Sequence, residues 1–223
     1  KFLFLCLPPL GEKPFAVFSS AEKSIVIRVA GEFTGRLAEL KPGADILVRG
    51  PYGRPSARFE DKVVVYAGGG AGIASLLEIA HKLAPANRQI FMLGARTREH
   101  LFDLDRFRAL GPVHLATDDG SLGLKGIVPD LHGEALAGLA GADRSRLAFI
   151  NCGPEPMVRR CFAIQRELAP EDRILGSIEY MTSCGVGICG KCASPSGALT
   201  CIDGPFLPLR EFERSPGRDG CGC

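Results

Sequence analysis

Residues 63–73 read VVVYAGGGAGI, an unbroken apolar run that passes directly into a cluster of glycines. A helical stretch from about Ile73 to Leu83 follows, so the segment predicts a buried strand, a tight turn and a helix. The pattern recurs, with further strands predicted at 89–94, 113–117 and 147–152 and further helices at 98–110 and 155–168. Apolar strands that alternate with helices predict a parallel sheet covered on both faces, a doubly wound α/β domain over residues 61–173.

The N-terminal residues 1–60 have a different pattern, made of short strands and turns. The apolar opening, residues 1–7, predicts a strand, and so do the runs at 24–29 and 44–49. A short helix is predicted between them, over residues 34–40. This spacing of short strands predicts a small β-barrel.

Composition excludes several classes of protein. The chain has 223 residues and a net charge of +2, which is not the concentrated basic excess of a nucleic-acid binder. Hydrophobic residues make up 46% and charged residues 23%, as in an ordinary folded protein rather than a disordered one. No apolar run approaches the roughly 20 residues that a membrane-spanning helix needs.

Four of the nine cysteines are clustered in the C-terminal segment, residues 174–223, which is predicted to lack regular structure and a core of its own. Their spacing is C-x4-C-x2-C-x8-C, and the first three match the plant-type motif of a [2Fe–2S] cluster. The predicted ligands are Cys184, Cys189, Cys192 and Cys201. A structural zinc site is the alternative, although it usually has two short Cys-x-x-Cys pairs.

The remaining cysteines have no predicted role in the cluster. Cys6 and Cys161 are interpreted as small buried hydrophobic side chains. Cys221 and Cys223 lie in a glycine-rich terminus and are assigned no function.

Three loops follow predicted strands, at the edge where open α/β sheets bind ligands. The first of them, the glycine loop at residues 68–73, does not have the spaced G-x-G-x-x-G of the commoner dinucleotide fold. Taken alone, it is therefore as consistent with a simple tight turn as with a phosphate site. Together, the three loops predict a dinucleotide site. Its candidate residues are Gly68, Gly69, Gly70, Gly72 and Ile73 in the first loop, Asp118 and Asp119 in the second, and Cys152, Gly153, Pro154 and Met157 in the third.

These motifs together resemble the ferredoxin–NADP reductase superfamily, and within it the electron-transfer subunits of NAD-dependent dihydroorotate dehydrogenase. The resemblance covers nearly the whole chain. It is carried by the glycine and cysteine motifs above together with Lys13–Val17, Gly31–Thr34, Gly50–Gly53, Thr117–Gly123, Cys152–Met157 and Cys201–Pro205. Subunits of sulfhydrogenases, sulfite reductases and bifurcating transhydrogenases share the same plan.

The resemblance implies FAD, a [2Fe–2S] cluster and NAD(P) as cofactors, and a catalytic partner in a hetero-oligomer, such as an FMN-containing dihydroorotate dehydrogenase of pyrimidine biosynthesis. FAD would lie between barrel and sheet. Its implied contacts are Lys13, Pro14, Phe15, Ala16, Ile27, Arg28, Val29, Phe33 and Thr34. Since a nicotinamide transfers two electrons as hydride and the cluster accepts one, the flavin divides the pair, and no acid or base side chain is required.

Three departures from the family pattern are visible. Lys13 and Ala16 stand where the flavin motif usually has Arg and Ser, so a bidentate contact and a hydroxyl are lost. Lys1 aligns with the middle of the barrel, so the first barrel strands are expected to be missing from this sequence. The eight-residue gap before Cys201 is short for the family.

Two further functions remain alternatives. The same module could serve a hydrogenase, sulfite reductase or transhydrogenase, or the chain could be a flavin-free protein that binds zinc or senses redox state. Arg96 and Arg98 are candidate contacts to a 2′-phosphate of NADP. The clustered redox cysteines without a secretion signal predict a cytoplasmic protein.

Overall fold

The computed structural model describes residues 1–54 and 58–213, and its strands form two sheets. The strands are β1 (Phe2–Leu7), β2 (Gly11–Ala16), β3 (Leu47–Tyr52), β4 (Val63–Gly69), β5 (Arg88–Ala95), β6 (Val113–Thr117), β7 (Leu124–Lys125), β8 (Leu147–Cys152), β9 (Ile174–Ser177) and β10 (Leu207–Pro208). The α-helices are α1 (Glu32–Ala38), α2 (Ile73–Leu83), α3 (Leu104–Arg108), α4 (His132–Leu136), α5 (Gly141–Arg144) and α6 (Glu155–Gln165).

The small sheet has three antiparallel strands in the order β2-β1-β3. Its central strand, β1, has buried phenylalanines at Phe2 and Phe4. The segment after β2 packs on the larger part of the molecule: the Ser20 backbone N–H and hydroxyl both donate to the Glu78 carboxylate on α2, at 3.0 and 2.6 Å. The segment that follows β2 is therefore bonded to helix α2, which covers one face of the large sheet.

The large sheet has seven strands in the order β10-β9-β8-β4-β5-β6-β7, and all its neighbouring pairs are parallel except β10 with β9. All seven residues of β4 are buried. Gly68 pairs with Leu93 on one side and Cys152 on the other, so the ends of β4, β5 and β8 meet at one edge. That edge carries the loops that the sequence predicts for a nucleotide.

Two apolar cores lie on opposite faces of the large sheet, as the continuous apolar strands predict. Along β4, Val63 and Val65 belong to one core, whereas Val64 and Tyr66 belong to the other. Residues of α4 and α6 complete the first core, and residues of α2 and α3 complete the second. At about 25 cal/mol per Å² of apolar surface buried, these cores supply the main stabilisation of the sheet.

Three predictions for the N-terminal residues are wrong in detail. Residues 25–30 form no regular structure, and only an isolated bridge joins Ser24 to Ser19. The strand expected at 44–49 begins at Leu47, and the helix expected at 34–40 is α1, two residues earlier. A β-branched run becomes a strand only if a neighbouring strand pairs with it, and pairing is not visible in a local pattern.

Two predicted helices are shorter than expected. The helix predicted at 98–110 is a 3₁₀ turn at Arg98–His100 followed by α3, and Asp103 between them has φ of 50°, which interrupts the helix. The last helix, α6, ends at Gln165 rather than at 168. The strands predicted at 113–117 and 147–152 and the helix at 73–83 are confirmed at both ends.

The C-terminal segment was predicted to lack regular structure, and this is wrong. Residues of β9 continue the large sheet beside β8, and β10 pairs back onto β9. Leu207, Leu209 and Phe212 are buried in the core on the α6 face. The segment is therefore part of the large domain's core at both ends, with the cysteine loop between them. Cys221 and Cys223 lie outside the described residues.

Cys161 is fully buried, as expected, and its burial raises the pKa of the thiol to about 12. Cys6 is only half-buried. In the part of the chain that the structure describes, no helix has both the length and the apolar character to cross a bilayer.

Candidate functional site

The four clustered cysteines lie in the loop between β9 and β10, and their exposure differs. Cys192 and Cys201 are buried, Cys184 is half-buried and Cys189 is exposed. A bridge between Ala193 and Leu199 folds the chain back on itself, and the Thr200 N–H donates to the Cys192 carbonyl at 3.2 Å. This turn brings Cys192 beside Cys201, although eight residues separate them.

The thiols form two neighbouring pairs, Cys184 with Cys189 and Cys192 with Cys201. The Val186 N–H donates to Cys184 Sγ at 3.5 Å. The nearby N–H groups of Cys189, Val186 and Ile188, together with the Cys189 thiol, lower the pKa of Cys184 to about 6. Burial raises the pKa of Cys201 to about 11, and its thiol contacts that of Cys192. Gly185, Gly187 and Gly190 have φ of 80°, 79° and 70°, so glycine is required where the loop turns.

This donor set fits a two-iron cluster, because each iron of such a cluster takes two thiolates and the sulfurs accept N–H bonds. Among residues 1–54 and 58–213, no group of three or more His, Cys, Asp or Glu side chains is placed to hold a metal ion, so the fit to a cluster rests on the two thiol pairs and the spacing of the motif. The cluster would be held by a buried pair, Cys192 and Cys201, and a more exposed pair, Cys184 and Cys189.

The cysteine loop rests on the small sheet. Phe2 and Phe4 of β1 form an apolar cluster with Cys192 and Cys201, and Tyr52 packs against it. A Cβ at Gly185 would lie 3.2 Å from the rings of Phe4 and Tyr52, so the loop backbone approaches the sheet closely. The buried cysteine pair therefore lies next to the strand that neighbours β2.

The glycine loop is the turn between β4 and α2, as predicted, and it packs against the Cys152–Pro154 loop. A Cβ at Gly72 would lie 2.5 Å from the Cys152 carbonyl oxygen and 2.7 Å from the Gly153 Cα. A Cβ at Gly69 would collide with the Met157 sulfur. The first and third predicted nucleotide loops are therefore in contact, and there is no room for a side chain at Gly69 or Gly72 between them.

Cys152 ends β8 in a buried position. Burial raises the pKa of its thiol to about 11, although the nearby side chains of Ser75 and Ser177 act in the opposite direction. The thiol is therefore neutral at physiological pH.

Beneath Cys152, the preceding residue Asn151 takes part in a fully buried polar network. Its Nδ2 donates to Leu175 O at 2.9 Å and to Gln165 Oε1 at 2.8 Å, and Gln165 Nε2 lies 3.0 Å from His132 Nε2. Burial lowers the pKa of His132, so the ring is neutral and its Nδ1–H donates to the Pro129 carbonyl at 2.8 Å. The network ties β8 to β9 and α6 just below the Cys152 loop.

Asp118 and Asp119 lie in the loop after β6, at the same sheet edge but two strands from β4. The Ser121 N–H and hydroxyl donate to Asp119 at 3.0 and 2.6 Å and hold the pKa of that carboxyl below its usual range. The Ser121 hydroxyl also accepts from the Arg98 N–H at 2.8 Å. This loop is therefore joined to the one after β5, whereas no bond joins it to the glycine loop in the described part.

The residues expected to contact FAD lie on three segments. Lys13, Pro14, Phe15 and Ala16 lie on β2, Ile27, Arg28 and Val29 lie in the irregular segment before α1, and Phe33 and Thr34 lie in α1. The rings of Phe15 and Phe33 stack with centroids 6.2 Å apart, so β2 and α1 are in contact. Lys13, Arg28 and Val29 are exposed and free to meet a ligand.

Two features of the site were not predicted. Arg49 on β3 binds the cysteine loop, and apolar side chains in or near that loop are exposed: Met181 is 70%, Val186 51% and Ile188 85% exposed. Alternating strand patterns gave no signal for Arg49, because its partners lie more than 130 residues away. Val186 and Ile188 lie between the first two cysteines of the motif, and Met181 lies three residues before it, so this local signal could have been noticed in the sequence.

Comparison with known proteins gives the family. The family model for the iron–sulfur cluster binding domain of dihydroorotate dehydrogenase B matches residues 179–213, which include all four clustered cysteines. The probable dihydroorotate dehydrogenase B (NAD(+)), electron transfer subunit, of Methanocaldococcus jannaschii is 39% identical over 209 residues, 93% of this chain and 77% of that protein. The subunit of the same name from Pyrococcus abyssi is 36% identical over 208 residues, with the same two shares.

Among solved structures, that of an NADH-dependent reduced ferredoxin–NADP oxidoreductase, described for flavin-based electron bifurcation, has a TM-score of 0.81 and 31% identity. It covers 95% of this chain and 78% of that chain. The fold is thus the mixed α/β fold of ferredoxin reductase-like oxidoreductases. The chain belongs to the family of electron-transfer subunits of dihydroorotate dehydrogenase B. The prediction of iron–sulfur, flavin and nicotinamide cofactors is confirmed at the level of this family.

Proposed function

We propose that this chain transfers electrons between NAD(P)H and the catalytic subunit of a dihydroorotate dehydrogenase, through FAD and a [2Fe–2S] cluster. One observation carries the proposal: the cysteine loop packs against the same small sheet that contains the strand with the flavin motif. The loop packs on Phe4 of β1, and Phe4 pairs directly with Pro14 of β2. Adjacent strands lie about 4.8 Å apart, so a flavin on β2 would be a close neighbour of the cluster.

The residues assigned to each cofactor follow from this arrangement. Lys13–Ala16, Ile27–Val29 and Phe33–Thr34 would hold FAD, and the Lys13 ammonium would face its phosphates. The glycine loop and Cys152–Pro154, with Asp118 and Asp119 at the same edge, would hold the nucleotide, because the free N–H groups at a strand-to-helix turn favour phosphate. Cys184, Cys189, Cys192 and Cys201 would hold the cluster.

The bound flavin supplies the exchange between hydride and single electrons. The chain's own side chains hold the cofactors and exclude water from the path between them. Cys192 and Cys201 are 1% and 2% exposed, so the cluster edge toward the small sheet is shielded from solvent. Cys189, in contrast, lies on the surface, and the exposed side chains of Val186 and Ile188 in the same loop, with Met181 before it, would face the catalytic partner.

Three finer assignments belong to the same proposal. Residues 1–60 would be the described part of a flavin barrel, residues 61–173 the nucleotide domain and residues 174–223 the cluster segment. No disulfide joins any two of the seven described cysteines, which supports a reducing compartment such as the cytoplasm.

A visible spectrum recorded without oxygen, before and after addition of NADH, tests the proposal. Flavin and iron–sulfur absorption that both bleach on addition of NADH would support it. Cluster absorption without flavin would indicate that FAD binding is lost because Lys13 and Ala16 replace the usual Arg and Ser of the flavin motif. A colourless, zinc-containing protein would refute it.

A second partner is favoured by one specific observation. The bifurcating oxidoreductase above matches 95% of the chain at 31% identity, so the same module could serve a transhydrogenase-type partner. Mixing the reduced chain with each candidate partner, and measuring which one is reduced, separates the two functions.

A further inference from the structure

Arg49 of β3 joins the small sheet to the start of the cysteine loop. Its Nη1 donates to the Cys184 carbonyl at 2.8 Å, and its Nη2 donates to the Ser183 carbonyl at 2.5 Å. Its Nε and Nη2 also donate to both carboxylate oxygens of Glu12 on β2, at 2.7 and 2.5 Å. The guanidinium lies 3.6 Å above the centre of the Phe4 ring.

These bonds hold the backbone on both sides of Cys184. The Ser183 carbonyl belongs to the peptide plane before the Cys184 Cα, and the Cys184 carbonyl belongs to the plane after it. Because each peptide unit is planar, fixing both carbonyls fixes φ and ψ of Cys184 and with them the direction of its Cα–Cβ bond. A planar guanidinium can bind two carbonyls and a carboxylate at once, whereas an ammonium cannot do so in one plane.

The same group places a fixed positive charge beside the more exposed cysteine pair. Arg49 and Glu12 form a bidentate ion pair, with Nη2 to Oε1 at 2.5 Å and Nε to Oε2 at 2.7 Å, and both side chains carry their charge at neutral pH. Reduction adds one negative charge to the cluster, and a nearby cation stabilises that state. Glu12 opposes the effect, since its carboxylate lies against the same guanidinium.

We propose that Arg49 is a positioning residue for the cluster: it orients Cys184 and raises the reduction potential, while Glu12 moderates its charge. This inference rests on the proposed [2Fe–2S] cluster. It predicts that the charge and the orientation can be separated by substitution. Arg49→Lys keeps the positive charge but loses the paired hydrogen bonds to the Ser183 and Cys184 carbonyls. Arg49→Gln loses both the charge and these bonds. Glu12→Gln leaves the bonds in place and removes the opposing negative charge.

The test is a redox titration of the purified full chain, with electron paramagnetic resonance as readout, together with the rate at which iron is lost to a chelator. For Arg49→Gln we expect a more negative potential, with a roughly tenfold change in the one-electron equilibrium, about 59 mV. For Glu12→Gln we expect a shift in the opposite direction and an unchanged rate of iron loss. For Arg49→Lys we expect a potential near that of the wild type but about tenfold faster iron loss, because charged hydrogen bonds to the loop are lost.

Arg49→Gln and Glu12→Gln must move the reduction potential of the cluster in opposite directions. Shifts of the same sign, or a wild-type potential in Arg49→Gln, would overturn the proposal. If Arg49→Gln folds but retains no cluster, orientation is supported and the Glu12→Gln potential decides the role of charge. A wild-type chain with no [2Fe–2S] resonance would instead refute the proposed function itself.

Discussion

Replacing Gly72 by alanine tests whether the contact between the glycine loop and the Cys152 loop supports nucleotide binding. Gly72 has helical dihedral angles, φ −62° and ψ −22°, so alanine causes no backbone strain there. The new Cβ would nevertheless lie 2.5 Å from the Cys152 carbonyl oxygen, 2.6 Å from its carbonyl carbon and 2.7 Å from the Gly153 Cα. All three are backbone atoms at the end of a buried strand, so they cannot rotate away.

Forcing these loops apart is overpacking, which costs about 1–3 kcal/mol. For a chain of this size each kcal/mol lowers the melting temperature by about 2–4 °C, so we expect a fall of about 2–12 °C. The displaced loops are those proposed to hold the nucleotide. If the free protein can relax about 1 kcal/mol of this strain and the NADH complex cannot, the Kd for NADH should rise about fivefold. Thermal unfolding by circular dichroism and NADH titration at equal flavin content measure the two effects.

Gly133→Ala is the matched control. Gly133 is exposed in α4, and no atom lies within 4 Å of a Cβ placed there. Alanine should leave NADH binding unchanged and stabilise the helix by about 0.5–1 kcal/mol. If Gly72→Ala behaves like Gly133→Ala in both assays, the close approach of the two loops has no part in binding or stability.

Three further predictions concern the cluster, the buried network and the exposed surface. Cys189→Ser should abolish iron binding in an iron assay and leave flavin bound, whereas Cys6→Ser should retain the iron; equal iron in both would contradict the ligand assignment. Since burial lowers the pKa of His132, the unfolded chain binds a proton that the folded chain does not, and stability falls as pH drops below about 6.5. Between pH 7.5 and 5.5 the melting temperature of His132→Gln should fall less than that of the wild type. Equal falls in the two proteins would contradict this. Ile188→Glu should weaken binding of the catalytic partner about tenfold in calorimetry with unchanged spectra, whereas Leu124→Glu on the edge strand β7 should not.

The large sheet could be predicted from the sequence because its signals are local. β4, β6 and β8 are short, mostly apolar runs, and the glycines after β4 mark the turn into α2. Such strands are buried on both faces, so an uninterrupted apolar run is enough to find them. The cysteine spacing is also local, and it indicated the cluster loop directly.

The errors lie where distant contacts decide the structure. The β-branched run at 25–29 has no strand beside it, while β9, only four residues with a glycine, becomes a strand because β8 and β10 pair with it. The residues next to Arg49 in the sequence indicate only that it lies in a strand. Its contacts with Ser183 and Cys184 form only in the folded chain. A pattern read along the chain carries no information on pairings of this kind.

Electron paramagnetic resonance of the chain reduced by NADH without oxygen, combined with an iron and sulfide assay, decides whether electrons pass from NADH through the flavin to the cluster. We expect two irons and two sulfides per chain. We also expect an unpaired spin on the cluster that appears only after NADH is added and only when FAD is bound. An intact cluster that NADH leaves oxidised in the flavin-loaded chain, or a metal content of zinc alone, would contradict this electron path.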